Sequence, residues 1–275
     1  MKINFFCPRW GCENLDAISF LTKVKEAGYD GVEMGLPLET AQREEVLRLI
    51  KQAGLQLIAQ HWETSTADYE VHKNEYRQRL VNLASCKPLF INSQTGKDYF
   101  TYEQNVGLIQ IADNVSKESG IKIIHESHRG KFSFAVHITS QFLQNIPELR
   151  LGLDLSHWCN VAESYLDDQP EALNLALSRT DHIHARVGFP EGPQVPDPRA
   201  PEWKEALEKH VNWWSRVIEQ RKNEGWEMFT ITPEFGPYPY MTILPFSKQP
   251  ISNQWEVNLF MMEYLKSALK TIIVG

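Results

Sequence analysis

The sequence predicts an α/β protein: a closed (β/α)8 barrel occupying residues 1–275 as a single domain. Three observations carry this expectation. Short apolar runs alternate with amphipathic helical patterns along the whole chain, eight times over. Four of the later runs close on an acid or an imidazole: Ile123-Ile124-His125-Glu126, Gly152-Leu153-Asp154-Leu155-Ser156-His157-Trp158, His182-Ile183-His184-Ala185-Arg186 and Phe229-Thr230-Ile231-Thr232-Pro233-Glu234. Two long proline-rich connections, 188–201 and 236–254, follow the last two runs. In a parallel β/α protein the strand C-termini open on one face, so residues far apart in sequence can meet there.

The elements follow in order. Residues 3–6 form the first strand, and a helix over 15–27 is closed by Gly28. A strand at 31–34 precedes a helix over 40–53, again stopped by glycine, Gly54. The third strand, 55–60, runs into His61-Trp62-Glu63, and a charged helix covers roughly 71–85. Residues 89–92 make the fourth strand, with a helix over 102–119 ending at Gly120. The fifth and sixth strands are 121–125 and 151–153; helices follow over 136–145 and near 170–178, where Pro170 suits a first turn. Strand 181–185 leads to a long helix over 201–223, whose Trp203, Trp213 and Trp214 read as packing residues. Strand 228–232 and a helix over 255–271 complete the set. No G-x-G-x-x-G stands at any strand-to-helix turn, which argues against a doubly wound dinucleotide fold.

Composition narrows the class. A hydrophobic share of 42% and a charged share of 23% are ordinary for a globular protein. A formal net charge of −7 argues against a polyanion-binding surface, so no nucleic acid is expected as partner. No apolar run approaches a membrane span, and no secretory signal opens the chain, so a cytoplasmic protein without membrane association is expected. Cys7, Cys12, Cys86 and Cys159 are too scattered for a disulfide framework and read as reduced, mostly buried thiols.

Glu126, Asp154, His184 and Glu234 form a hard, oxygen-rich donor set suited to one divalent metal ion, Mn²⁺ or Mg²⁺ first, with Co²⁺ or Zn²⁺ also compatible. Three converging carboxylates would otherwise repel one another and hold protons. Such a site can polarise a carbonyl and an adjacent hydroxyl while carboxylates move the intervening C–H proton. Glu126 and Glu234 lie on strands far enough apart to approach a substrate from opposite sides, which suits epimerisation or aldose–ketose isomerisation. The two long loops read as walls of the pocket.

The motifs His125-Glu126, Gly152-Leu153-Asp154-Leu155-Ser156-His157, His182-Ile183-His184 and Pro233-Glu234 resemble those of the xylose isomerase-like TIM barrel superfamily, and within it the sugar phosphate isomerase/epimerase group. The resemblance covers essentially the whole chain. It implies a metal held by Glu126, Asp154, His184 and Glu234, with the two glutamates as the catalytic acid–base pair. It also implies that His157 contacts a substrate hydroxyl and Arg186 a substrate oxygen, and that the substrate is a small sugar or polyol-ketone. His182 and His184 project alike by alternation, and the resemblance alone selects His184. An inosose-type dehydratase, an endonuclease IV-like DNA-repair enzyme and a non-catalytic sugar-binding barrel share the superfamily's architecture. The chain departs from the nuclease pattern at Asn92 and at Asp197-Pro198-Arg199, where that branch needs histidines and arginine cannot ligate. A homo-oligomer is compatible with all of these readings.

Other residues carry weaker expectations. Arg9, Trp10, Glu33 and His61 close the first three strands and either face the pocket or serve structure. Trp158 either offers an apolar face to a sugar ring or packs. His128 and Arg129 are placed to hold an anion, and Arg199 to reach a substrate carboxylate or phosphate. His125 points away from Glu126's side of its strand and should be buried.

Overall fold

The barrel closes in chain order. Strands β1 (Lys2–Pro8), β2 (Gly31–Met34), β3 (Gln56–His61), β4 (Ile91–Ser93), β5 (Ile123–Glu126), β6 (Leu151–Leu153), β7 (Thr180–His184) and β8 (Met228–Thr232) each pair in parallel with their neighbours, and β8 returns to β1. The computed structural model describes residues 1–270 and 272. Nine helices are found among the described residues: α1 (Ala17–Glu26), α2 (Thr40–Ala53), α3 (Tyr69–Ser85), α4 (Tyr102–Ser119), α5 (Val136–Asn145), α6 (Leu155–Ala162), α7 (Pro170–Ser178), α8 (Lys204–Asn223) and α9 (Gln254–Ala268). Thr271, the expected end of the last helix, lies outside the described residues.

Most departures from the expected bounds trace to caps. Asp16, Asp68 and Asn253 each accept from a backbone N–H in the first helical turn, setting the starts of α1, α3 and α9. Thr101 and Gln104 form a reciprocal capping box on α4, worth about 1 kcal/mol. The expected helix over 201–223 opens instead as a 3-10 turn, Pro201–Trp203. The larger departure is α6. Its residues read as a strand end and loop, yet the Asp154 side chain accepts from Ser156 N and β6 turns directly into a helix.

Apolar side chains on the outer barrel face pack against the helices, whose Trp158, Trp213 and Trp214 are buried in that layer. The inner face is polar through much of its depth. Asn92, Glu33, His182 and Thr232 fill it, and Gly152 makes room: a Cβ there would lie 2.3 Å from Asn92 Oδ1. All four cysteines are free, three of them buried. No described helix is long and apolar enough to cross a membrane.

The two proline-rich loops are joined to each other. Gly236 N donates to Gln194 Oε1 at 2.7 Å, and Gln194 Nε2 donates to Gly236 O at 3.2 Å. Only the second loop reaches the central cavity, through Tyr240, while residues 188–201 stand outside it. The expectation that both loops wall the pocket is therefore corrected for the first, which buttresses the second.

Candidate metal and acid–base site

The four expected residues meet at the C-terminal mouth. Glu126 is the last residue of β5, Asp154 caps α6 just past β6, His184 ends β7, and Glu234 lies two residues beyond β8. Period-two alternation and the barrel's tilt turn all four inward, where each is buried. One ligand atom from each lies within 4.8 Å of the others.

A second polar layer orients this cluster from below. His184 Nε2 lies 2.9 Å from Glu33 Oε1, and Asn92 Nδ2 donates to the same oxygen at 2.9 Å. Glu33 Oε2 takes the Thr232 hydroxyl at 2.5 Å and lies 3.1 Å from His182 Nε2. Burial opposes ionisation of Glu33, but His184 and His182 more than offset it, and its carboxyl is held well below the usual range. A carboxylate behind an imidazole fixes the ring's orientation, with Nε2 on Glu33 and Nδ1 toward the mouth; burial opposes protonation of His184, but Glu234, Glu33 and Glu126 together hold its pKa well above the ordinary value. Nδ1 lies 2.9 Å from Glu234 Oε2 and 3.8 Å from Glu126 Oε1, yet is aligned for a hydrogen bond with neither.

The carboxylates differ in their surroundings. Glu234 Oε1 accepts from Gln60 at 3.1 Å, and Glu126 Oε1 accepts from Gln94 at 3.1 Å. Glu126 Oε2 is buried without a partner. Burial, aided by Glu234, Asp154 and Glu33 against His184, pushes the Glu126 carboxyl up to about 8. Glu234 feels the same burial, but His184 and Arg186 hold it below its ordinary value. Glu126 Oε2 and His184 Nδ1 are both buried without a hydrogen-bond partner where three carboxylates and an imidazole converge, a donor set that fits a divalent cation. Asp154 is the most engaged of the four: Oδ1 accepts from Ser156 N at 3.0 Å and Oδ2 contacts Arg186.

Arg186 and His157 adjoin this cluster. Arg186 Nε donates to Ser156 Oγ at 3.1 Å, and Nη2 donates to His157 Nε2 at 2.7 Å. Guanidinium has no acceptor, so His157 carries its proton on Nδ1, which is buried and unpartnered. The cavity above has a volume of about 760 Å³, and Glu126, Glu234, Arg186, Gln60, Gln94 and His128 line its inner part.

Several expected substrate residues are elsewhere. His61 lies behind the barrel wall, its ring nitrogens 3.1 Å from Ser93 Oγ and 2.8 Å from Thr64 Oγ1, and it does not line the cavity. Trp158 is fully buried and donates to Ser133 O at 2.8 Å, so it packs and offers no face to a sugar. Arg199 is paired with Asp197 at 2.6 Å on a separate surface pocket and does not reach the central cavity. His125 is buried as expected, its Nδ1 2.8 Å from Thr95 Oγ1. His182 also points inward, but one layer deeper, 2.7 Å from Thr230 Oγ1. Arg9 and Trp10 do line the cavity. Gln60, Gln94, Asn92 and Tyr240 were not foreseen. Alternation would have found two of them, since Gln60 and Asn92 pair in register on the inward face while His61 pairs with Ser93 on the outward one.

No family model matches the chain, and no curated protein does. Solved structures do. A 3-keto-D-glucoside 4-epimerase from E. coli, in its apo form, superposes with a TM-score of 0.63 at 13% identity, covering 97% of this chain and 100% of that one. The probable 3-DHS dehydratase involved in petrobactin synthesis from Bacillus anthracis gives 0.60 at 15% identity, covering 96% and 99%. Endonuclease IV from Thermus thermophilus gives 0.59 at 13% identity, covering 98% and 100%. Proteins named for an epimerase, a dehydratase and a nuclease lie within a few hundredths of one another, so the likeness speaks for architecture and not for reaction. The chain has the fold of the xylose isomerase-like TIM barrel proteins, as its strand-end motifs implied.

Proposed function

We propose that this chain is a divalent-metal-dependent sugar isomerase or epimerase acting on a polyhydroxy carbonyl substrate. The observation that carries the reading is the convergence of Glu126, Asp154, His184 and Glu234 within 4.8 Å, with Glu126 and Glu234 on the wall of a large cavity. These four residues would hold one Mn²⁺ or Mg²⁺ ion, which when bound would polarise a substrate carbonyl and its neighbouring hydroxyl.

The chain's own groups do the rest. Glu126 and Glu234 both line the cavity, on strands β5 and β8 side, and serve as the acid–base pair on either side of the reacting carbon. Gln60 and Gln94 hold each carboxylate by one oxygen and so fix the direction of the other. The Arg186 guanidinium faces the cavity and takes a substrate oxygen, while His157, fully buried and off the cavity wall, holds Arg186 in place through Nε2. We further propose that residues 1–275 act as one cytoplasmic domain on a small molecule, with no nucleic acid or membrane partner. Asn92 and Arg199 in place of histidines disfavour the nuclease reading.

The test is solvent deuterium exchange with Mn²⁺-loaded protein over a panel of ketoses and inososes. Incorporation at the carbon beside the carbonyl supports proton transfer, and loss of water from the product would redirect the reading to a dehydratase. Binding without incorporation in any ligand would make the chain a non-catalytic barrel.

A further inference from the structure

The second proline-rich loop has a surface unlike that of the chain as a whole. Across residues 237–254 the one charged residue is Lys248, in a chain that is 23% charged. Residues 242–251 fold back as a hairpin. Ile243 is bridged antiparallel to Pro250, Leu244 N donates to Gln249 O at 2.7 Å, and Ile251 N donates to Thr242 O at 3.1 Å. Its apolar side chains face solvent: Phe246 at the tip is 103% exposed, Leu244 47% and Ile251 43%. Phe246 and Lys248 both hold positive φ, 63° and 57°, where a bulky side chain is rarely found. No contact within one copy of the chain accounts for a strained turn that leaves a phenyl ring wholly in water.

The same element carries a complementary hollow. At the base of the hairpin, Ile251 and Ser252 join Pro196, Asp197, Glu202 and Trp203 around a surface pocket of about 500 Å³, room enough for a phenyl ring. Asp197 is already satisfied there, by Arg199 at 2.6 Å and by the Ser252 hydroxyl at 3.1 Å. Glu202 and Lys248 are both exposed, and neither makes an ion pair among the described residues. One chain therefore offers an apolar knob beside a cation and a partly apolar hollow beside an anion.

We propose that this face is an interface between two copies of the chain. The two hairpins lie antiparallel, so that each Phe246 enters the pocket beside the partner's Trp203 and each Lys248 meets the partner's Glu202. A two-fold axis makes both contacts at once and leaves neither knob nor hollow over, so the assembly closes at two. A charge-poor surface with an aromatic anchor at its centre and charges at its rim is the composition of such contacts. An unrelated partner would need to match knob and hollow separately, whereas a second copy supplies both by symmetry. Tyr240, on the same loop, lines the central cavity, so the pairing steadies that wall from outside.

The experiment is sedimentation equilibrium on the full chain from about 1 to about 100 μM, for wild type, Phe246→Asp, Glu202→Lys, Lys248→Glu and the double charge reversal. The wild type should form a dimer within this range. Phe246→Asp, at a wholly exposed position and so with its far-UV spectrum unchanged, should weaken pairing by at least about tenfold. Each single reversal brings like charges together and should weaken pairing about three- to tenfold, and the double reversal should recover most of that loss. A wild type monomeric throughout, a dimer indifferent to Phe246→Asp, a double reversal no better than the singles, or association that continues past the dimer would each overturn the inference. The first would leave the hairpin to an unrelated partner, and the last would make the contact head-to-tail.

Discussion

Strand β7 carries a buried carboxylate near one end and a buried imidazole at the other, and their surroundings are opposite. At the N-terminal end, Asp181 is met by cations: Lys122 lies against Oδ2, Arg150 Nη2 is 2.6 Å from Oδ1, and Arg221 Nε is 4.0 Å away. Arg221 is in turn tied to Thr180 O at 2.8 Å and Ser178 O at 2.7 Å. At the C-terminal end, His184 faces Glu33, Glu126 and Glu234, with Asp154 and Arg186 beside them. The lower cluster gives one carboxylate several cations and ties the barrel bottom. The upper one instead gathers three carboxylates, Glu126, Asp154 and Glu234, around one imidazole. A fold that balances charge at one end of a strand and leaves it unbalanced at the other is holding the second end for something else.

The comparison breaks first at the glutamates. Glu126→Gln and Glu234→Gln should each lower deuterium exchange by about 10²- to 10⁴-fold, the usual contribution of a general acid or base, with the far-UV spectrum unchanged. Exchange surviving either change would remove that residue from the pair. Acid titration tests one buried imidazole near the upper end. Past the upper end of β7, His210 Nε2 accepts from Gly188 N at 3.2 Å and Nδ1 donates to Ala206 O at 2.8 Å, and burial pushes its pKa down to about 4. The folded state thus takes up the proton later than the unfolded chain does. The resulting stability is fully present above about pH 6.5 and is lost as pH falls toward 4, worth roughly 3 kcal/mol. Denaturant melts should show that loss in wild type and a flatter profile in His210→Gln; matching profiles would mean the imidazole is not held neutral.

Metal addition probes the upper end alone. Mn²⁺ at a hundredfold excess over its Kd should stabilise the wild type by about 2.7 kcal/mol, and Asp154→Ala should lose most of this. Undiminished stabilisation in that variant would show that Arg186 keeps Asp154 out of the ligand set. Asp181→Ala should do the reverse, costing about 2 kcal/mol in denaturant melts with Mn²⁺ affinity unchanged. That is below the 3–5 kcal/mol of a fully buried pair because Arg150 and Lys122 are partly exposed. The smallest effect belongs to Arg199→Ala, within about 0.5 kcal/mol and without consequence for binding, since its partner Asp197 shares the surface. An effect on substrate binding there would restore the role its loop position suggested.

What the sequence determined alone was the repeat and its polarity. Alternation of apolar strands with helices stopped at Gly54 and Gly120 specifies βα units, and right-handed closure of such units puts every strand end on one face. Glu126, Asp154 and Glu234 were legible because each ends or follows an apolar run, where strand chemistry alone does not require an acid, whereas only the family resemblance separated His184 from His182. The tertiary structure decided which neighbours joined them. His61 and Gln60 are adjacent in sequence, yet the pleat sends one into the wall and the other onto Glu234. Arg199 and Trp158 looked equally available, but one found Asp197 and the other Ser133 O before either could reach the cavity. Glu33 orients His184 from across the barrel, at a separation of 151 residues. Such partnerships depend on barrel register and depth, which arise only when the sheet closes on itself.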